Sequence, residues 1–145
     1  MKISHLLLFS SIFLFTIGCS KKGCSDPDSI DYERGNSSGN EECRYQGSLV
    51  FWYGKDVSEF LIENNVSGLN FYLNDELVGT TETKNFRTNA PDCDDFSNAV
   101  KTTRSLGNVK TIGCEFSVQS EDNITIWHTS ININANTCST LELGL

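Results

Sequence analysis

Apolar and polar residues alternate through much of the second half of the chain, which is typical of β-strands that bury one face. The clearest stretch places Ile112, Cys114, Phe116 and Val118 on one side, with polar residues or glycine between them. This spacing predicts a strand that turns these four side chains into a core. We expect Cys114 to be buried there as a free thiol, because a buried Cys packs as a small apolar side chain.

Earlier stretches predict three more strands. Residues 48–53 are apolar on both faces, which favours a strand in the centre of a sheet. Residues 69–73 and 77–81 flank the pair Asn74-Asp75. Two strand-like runs joined by such a turn pair predict a β-hairpin.

Three later stretches complete the predicted set of strands. Residues 100–104 alternate in the manner of an edge strand, and residues 124–134 form a long strand. The apolar face of the long strand changes near His128, which predicts a bulge or a change of sheet. Residues 141–145 alternate to the end of the chain, so we expect the last strand to lie inside a sheet.

The pattern as a whole predicts an all-β fold. One short helix is indicated, because Val57, Phe60 and Leu61 have helical spacing and Asp56 can cap them. About seven short strands with frequent turn signals are typical of a β-sandwich. We therefore predict a single sandwich over residues 47–145, with either an immunoglobulin-like or a transthyretin-like strand order.

The first 18 residues have the features of an export signal. Lys2 supplies a positive charge, and an apolar run follows over residues 6–15. This run is too short to cross a bilayer as a helix, which takes about 20 residues. A positive start, a short apolar core and small residues after it predict a signal peptide, residues 1–18, that is removed from the mature protein.

The motif Thr16-Ile17-Gly18-Cys19 at the end of this segment resembles the lipobox of bacterial lipoproteins. The resemblance implies cleavage before Cys19 and attachment of a diacylglyceryl group, with chains such as palmitate, to its sulfur. Two or three acyl chains hold a protein firmly in a membrane, whereas one holds it marginally. Ser20 resembles the outer-membrane sorting pattern, so we expect a lipid anchor in the outer membrane, facing either the periplasm or the cell surface.

Composition narrows the possible partners. Without the signal peptide the chain has ten basic and 19 acidic side chains, a net charge of −9. Such a charge opposes binding to nucleic acid or to an anionic lipid surface. The membrane contact that we expect is therefore the N-terminal lipid, and we expect no nucleic-acid partner.

Residues 23–45 resemble a short module found in secreted and surface proteins of Bacteroidetes. The shared positions follow the pattern Gly-Cys-x-Asp-Pro, then Tyr, then Cys-x-Tyr, and are Gly23, Cys24, Asp26, Pro27, Tyr32, Cys43 and Tyr45. The resemblance implies a Cys24–Cys43 disulfide that staples a short module, so that residues 19–46 form the lipidated cysteine, a tether and this module. With the lipobox and the β-rich body, the chain resembles surface lipoproteins of Flavobacteria and their relatives, a group to which no activity is assigned.

The second disulfide is assigned by elimination among the remaining cysteines. Export permits disulfides, but of six cysteines one, Cys19, is expected to carry lipid, so an odd number remains and several pairings can be drawn. Once the module pair and the buried Cys114 are set aside, Cys93 and Cys138 form the second bridge. This bridge would tie the polar loop at residues 85–97 to the start of the last strand.

Acidic residues suggest two cation sites and one modification site. Asp26, Asp28 and Asp31 are a candidate Ca²⁺ site, because Ca²⁺ prefers carboxylate oxygens; the alternative is a solvated acidic spacer, since the spacing is not that of an EF-hand. The acids around Cys93 offer the same choice between a cation site and a polar loop. Asp28-Ser29-Ile30 resembles the acceptor of Bacteroidetes O-glycosylation.

Catalytic motifs are weak, and we expect the chain not to be an enzyme. Outside the signal peptide it contains one histidine, His128, in the middle of a predicted strand. One histidine does not make a usual zinc site, and no nucleophile elbow surrounds a serine. A small hydrolase therefore stays an alternative without support.

The sequence favours a lipid-anchored cell-envelope lipoprotein whose β-domain binds a partner or has a structural role. The ligand would be a glycan or a protein, and exposed aromatic side chains such as Tyr53 or Tyr72 would favour a glycan. The alternative is a Ca²⁺-stabilised adhesion or assembly module that uses the acidic residues near the N-terminus.

Overall fold

The computed structural model describes residues 23–34 and 43–145. The predicted signal peptide, the predicted lipidation site Cys19 and the expected tether lie outside the described residues. The described part contains seven strands and one helix: β1 Tyr45–Tyr53, α1 Lys55–Glu63, β2 Gly68–Leu73, β3 Glu76–Glu82, β4 Val100–Gly107, β5 Thr111–Ser120, β6 Thr125–Asn134 and β7 Cys138–Leu143.

The strands form two sheets that pack face to face as a β-sandwich, which confirms the predicted fold class. One sheet has three strands in the order β4-β1-β7, and the other has four in the order β3-β2-β5-β6. The first and last strands pair in parallel, and the remaining pairs within the sheets are antiparallel. This order departs from the immunoglobulin order, in which the first two strands share a sheet.

The core between the sheets is built on three aromatic rings. Phe51 of β1 stacks on Phe116 of β5, with ring centroids 4.5 Å apart, and Phe71 of β2 lies 5.7 Å from Phe51. Stacked and tilted rings of this kind add to the free energy gained by burying their area. Cys114 is a free thiol and is buried beside these rings in the same core, as the alternation predicts.

Strand β1 is the centre of the smaller sheet and is covered on both faces. Its inward residue Phe51 joins the core, while Val50 and Trp52 face outward and are still buried. This explains why residues 48–53 are apolar throughout. On the outer side Trp52 lies beside Arg87 and Thr88 of residues 83–99, which we call the long loop. Cys93 of this loop is bonded to Cys138 on the neighbouring strand β7.

The predicted hairpin is confirmed, and its turn shows why the chain is rich in Asn. Asn74 and Asp75 both have positive φ angles, 48° and 64°, as the tight turn between β2 and β3 requires. Asn tolerates this left-handed backbone better than most residues. The same conformation recurs at four further positions in turns or near strand ends: Asn65, Asn98, Asn123 and Asn136.

Two local expectations are wrong. Strand β7 is an edge strand that pairs with β1 alone. Of its alternating leucines Leu143 is buried, whereas Leu145 lies beyond the strand and is 76% exposed. Helix α1 forms, with Val57 and Leu61 buried, but it begins at Lys55 after the N-cap residue Gly54, so Asp56 lies within its first turn and does not cap it. Phe60 is 45% exposed and lies outside the buried face of the helix.

The long strand contains a predicted bulge. Val118 pairs with Trp127 and the next residue of β5 pairs with Thr125, so Ile126 is the extra residue on β6. Two residues on one strand facing one on its partner define a β-bulge. The bulge lies just before His128, where the apolar face changes.

Candidate functional site

Residues 23–34 pack against one end of the sandwich, which we call the module end. The Cys24–Cys43 disulfide joins this segment to the start of β1, and its Cα atoms are 5.0 Å apart. Both cysteines are fully buried and belong to the same core as the sandwich. The disulfide is the predicted one, but the module is not a separate body, since it shares the core of the domain.

A salt-bridge network fixes the module to the sandwich. Lys110, in the turn between β4 and β5, lies 2.7 Å from Asp26 Oδ2 and 2.9 Å from Asp28 Oδ2. The hydroxyl of Tyr45 donates a hydrogen bond to Asp26 at 2.8 Å. The hydrogen bond from Lys110 and the backbone N–H of Asp28 hold the pKa of Asp26 below its ordinary value.

The candidate Ca²⁺ site is therefore not formed. Asp26 and Asp28 bind Lys110, whereas Asp31 forms a two-pronged pair with Arg44, with its oxygens 2.7 and 2.8 Å from the guanidinium nitrogens. The three carboxylates face two different cations instead of one metal position. Among residues 23–34 and 43–145, no group of three or more His, Cys, Asp or Glu side chains is arranged to hold a metal ion.

The O-glycosylation motif is also not presented. Ser29 is 8% exposed, and its hydroxyl donates to the carbonyl oxygen of Arg44 at 2.9 Å. The hydroxyl oxygen of Ser29 also accepts hydrogen bonds from the backbone N–H groups of Asp31 and Arg44. A buried hydroxyl with three partners is not available to a transferase in the folded protein.

The described cavities lie near the opposite end of the sandwich, which we call the distal end. There β1, β3 and β7 finish, and β2 and β4 begin. A cavity of about 460 Å³ opens beside Trp52, between the first residues of α1, Arg87 and Thr88 of the long loop, and the last residues of the chain. Its wall carries charges of both signs, from Lys55 and Arg87 and from acids such as Glu142.

A second distal cavity is a groove of about 650 Å³ beside the end of α1. It is lined by Ile62 and Val66 on one side and by Glu82 and Lys84 at the end of β3 on the other. Ile62 is 53% exposed, so the groove presents an apolar side chain beside a charged pair. Most of the lining residues are polar, with Ile62 and Val66 as the apolar part of the groove.

The long loop that borders the first cavity is firmly held. The backbone N–H of Arg87 donates to Tyr53, and its guanidinium donates to the carbonyl oxygens of Asn89 and Ser97. The Cys93–Cys138 disulfide, with Cα atoms 6.2 Å apart, pins the loop to β7. The acids around Cys93 cap the loop backbone, with Asp92 accepting two N–H groups, so the polar-loop alternative is the right one there.

The connection from α1 to β2 is held by one carboxylate. Glu121, in the turn between β5 and β6, accepts from the backbone N–H groups of Ser67 and Gly68 and from the Ser67 hydroxyl. These hydrogen bonds lower the pKa of Glu121 to about 2. Thr83, the residue after β3, also holds this connection, because its hydroxyl donates a hydrogen bond to the carbonyl oxygen of Val66.

His128 does not form a catalytic triad. It lies on the outer face of the larger sheet, and its Nε2 is 3.5 Å from Glu115 Oε2. Ser130 donates to the other oxygen of Glu115. The carboxylate therefore lies between serine and histidine, whereas a triad needs the histidine in the middle to take the serine proton.

The two aromatic residues named for glycan binding have different positions. Tyr53 is buried, which corrects the expectation, and its hydroxyl donates to the carbonyl oxygen of Glu82; burial raises its pKa to about 12. Tyr72 is half-buried on the outer face of the larger sheet, away from the distal cavities. The residues that line those cavities are far apart in sequence, and no motif in the chain marks them as one site.

Comparisons of the chain with protein-family models, with curated proteins and with solved structures find no match. The resemblance to surface lipoproteins therefore remains a prediction from the motifs. Within the described residues, no helix combines the length and the apolar character needed to cross a membrane.

Proposed function

We propose that this chain is a lipid-anchored cell-envelope protein whose β-sandwich binds a glycan or a protein through its distal end. The observation that carries the proposal is the separation of anchor and cavities. The predicted lipid at Cys19 precedes the first described residue of the module end by a few residues, whereas the cavities lie beyond the far ends of β1 and β7.

The separation is about the length of a strand. The eight steps between the nine residues of β1, at about 3.3 Å each, span roughly 26 Å between the module end and the distal end. The docked module keeps its first described residue, Gly23, at the module end, because Lys110 holds both Asp26 and Asp28. A partner could therefore reach the cavities without competing with the anchor for the same surface.

The two disulfides support an envelope location. Disulfides persist in oxidising compartments such as the bacterial periplasm and the cell surface. The chain has one bridge at the module end and a second that pins the long loop. Export, oxidation and lipidation thus point to the same compartment.

The first experiment tests the anchor. The full chain and a Cys19→Ser variant are produced in a Gram-negative host fed with radiolabelled palmitate. We expect the label and the outer-membrane fraction to contain the wild-type chain and not the variant. An unlabelled wild-type chain that fractionates with the soluble periplasmic proteins would contradict the proposal.

The second experiment tests the distal end with a matched pair of variants. Thr88→Arg places a long cation in the wall of the first cavity, and Thr111→Arg places the same side chain at the module end; both threonines are exposed. The wild-type chain is screened on a glycan array and against envelope proteins. We expect ligands found in this way to lose affinity for the Thr88 variant alone, and equal loss in both variants would place the site elsewhere.

A further inference from the structure

Strand β6 is an open edge strand that lacks charged side chains and proline, and its bulge at Ile126 lies near one end of the strand. It pairs with β5 on one side, and no described residue pairs with its other side. It is ten residues long, and its sequence, TIWHTSININ, contains no Lys, Arg, Asp, Glu or Pro. A long edge strand without such residues is a ready template for another strand.

The other described edges differ from β6. Strand β3 has an acid at each end, and its Glu76 forms a 2.7 Å salt bridge with Arg104 of β4, which closes that side of the sandwich. Strand β4 carries Lys101 and Arg104. Strand β7 has six residues and begins at the cysteine that fixes the long loop.

The pattern of β6 is complementary to itself. In an antiparallel pair centred on Thr129, Trp127 of one copy lies opposite Ile131 of the other, and His128 lies opposite Ser130. Trp127 and Ile131 are half-buried and face the core side, since their partners on β5 are the buried Val118 and Cys114. Over residues 127–131 apolar residues thus meet apolar ones and polar residues meet polar ones, which stabilises cross-strand pairs. Towards the strand ends the match is lost, since Ile126 lies opposite Asn132 and Thr125 opposite Ile133.

Charge also favours β6 over β3 for such a contact. Antiparallel self-pairing of β3 would bring Glu76 of one copy level with Glu82 of the other, and like charges across a strand pair are destabilising. Pairing through β6 brings no acid opposite another acid, although the whole chain is strongly acidic. The uncharged strand is therefore the place where two copies can approach.

We propose that two copies of this chain associate by antiparallel pairing of their β6 strands around Thr129, which joins their larger sheets into one sheet of eight strands. The same surface patch on both copies makes a closed two-fold dimer. The module ends of the two copies then lie at opposite ends of the pair, so two anchored copies reach one membrane when their strands lie along it.

Cysteine cross-linking in membranes tests the pairing on the full chain. Residues opposite each other in an antiparallel pair have Cα atoms about 5 Å apart, which a disulfide can span. We expect Thr129→Cys to give a covalent dimer on a non-reducing gel that reductant returns to monomer. Thr80→Cys is the matched control, because Thr80 is also exposed and lies on the opposite edge of the same sheet. Equal cross-linking of both variants would indicate random collision and would overturn the proposal.

Sedimentation of the detergent-solubilised chain gives a readout that needs no new cysteine. We expect the wild type and a Thr80→Lys variant to have twice the mass of one chain, and Thr129→Lys to have the mass of one chain, because an edge lysine opposes strand addition. Circular dichroism checks that both variants keep the β fold. A wild-type chain that is monomeric at micromolar concentration would overturn the proposal.

Discussion

The module end and the distal end of this sandwich are stabilised by different interactions. At the module end, pairs of opposite charge join segments that are distant in sequence: Lys110 binds Asp26 and Asp28, and Arg44 binds Asp31. At the distal end, side chains mainly satisfy backbone groups, as Glu121 does for Ser67 and Gly68.

This difference indicates that the module end is suited to attachment through the predicted lipid anchor and the distal end to binding a partner. The charge pairs and the buried disulfide at the module end hold residues 23–34 against the domain. The distal end has its loops fixed from within, so side chains such as Ile62, Thr88 and Glu142 stay exposed around the cavities. Three sets of variants test this difference between the ends, beginning with the removal of the disulfides.

Removing the disulfides one at a time should lower the free energy of unfolding most, because one bridge fixes the module and the other fixes the long loop. The bridges close loops with sequence separations of 19 and 45 residues. Loop-closure entropy then gives a loss of about 3 kcal/mol for Cys24→Ala with Cys43→Ala, and about 4 kcal/mol for Cys93→Ala with Cys138→Ala. Urea unfolding of both double variants measures these losses.

The two double variants should also differ in what becomes mobile. Hydrogen exchange is expected to increase in residues 23–34 for the first variant and in residues 83–99 for the second. A uniform increase over the whole domain in both variants would show that the module and the long loop do not open independently.

Replacing Lys110 by Met should free the module without disturbing the distal end. Met keeps most of the apolar stem of Lys but removes the cation that both Asp26 and Asp28 bind. We expect faster protease cleavage near residue 26 and an unchanged distal end. Lys55→Met is the matched control, because Lys55 makes an exposed pair with Glu59 within α1; similar cleavage in both variants would contradict the role of Lys110.

Acid should loosen the distal end through Glu121. Its pKa is lowered to about 2 from an ordinary 4.5, so the stabilisation it provides is complete above pH 4.5 and is lost as the pH falls from 4.5 towards 2. Hydrogen exchange of Ser67 and Gly68 over this range measures the loss. In Glu121→Gln the exchange of these amides should depend less on pH, after correction for the intrinsic rate, and an unchanged profile would rule Glu121 out as the cause.

Much of the fold followed from local patterns. Alternation around Cys114 located β5 and placed its thiol in the core, and Asn74-Asp75 located the hairpin turn, because these signals depend on neighbouring residues. The cysteine pairs could also be deduced, since one resemblance and one buried thiol left a single choice. The position of β7 was wrong, because alternation reports which face is buried and not how many neighbours a strand has.

The sequence by itself determined that the chain forms strands, where most of them lie, and which face of each is apolar. Tertiary structure alone decided that Asp26 and Asp28 meet Lys110, some 80 residues away, so that acids spaced for a cation bind a lysine instead. It also decided that Tyr53 is buried and that cavities form at the distal end. These features arise where loops from different strands meet, and the free energy of such contacts depends on distances in space that no local pattern encodes.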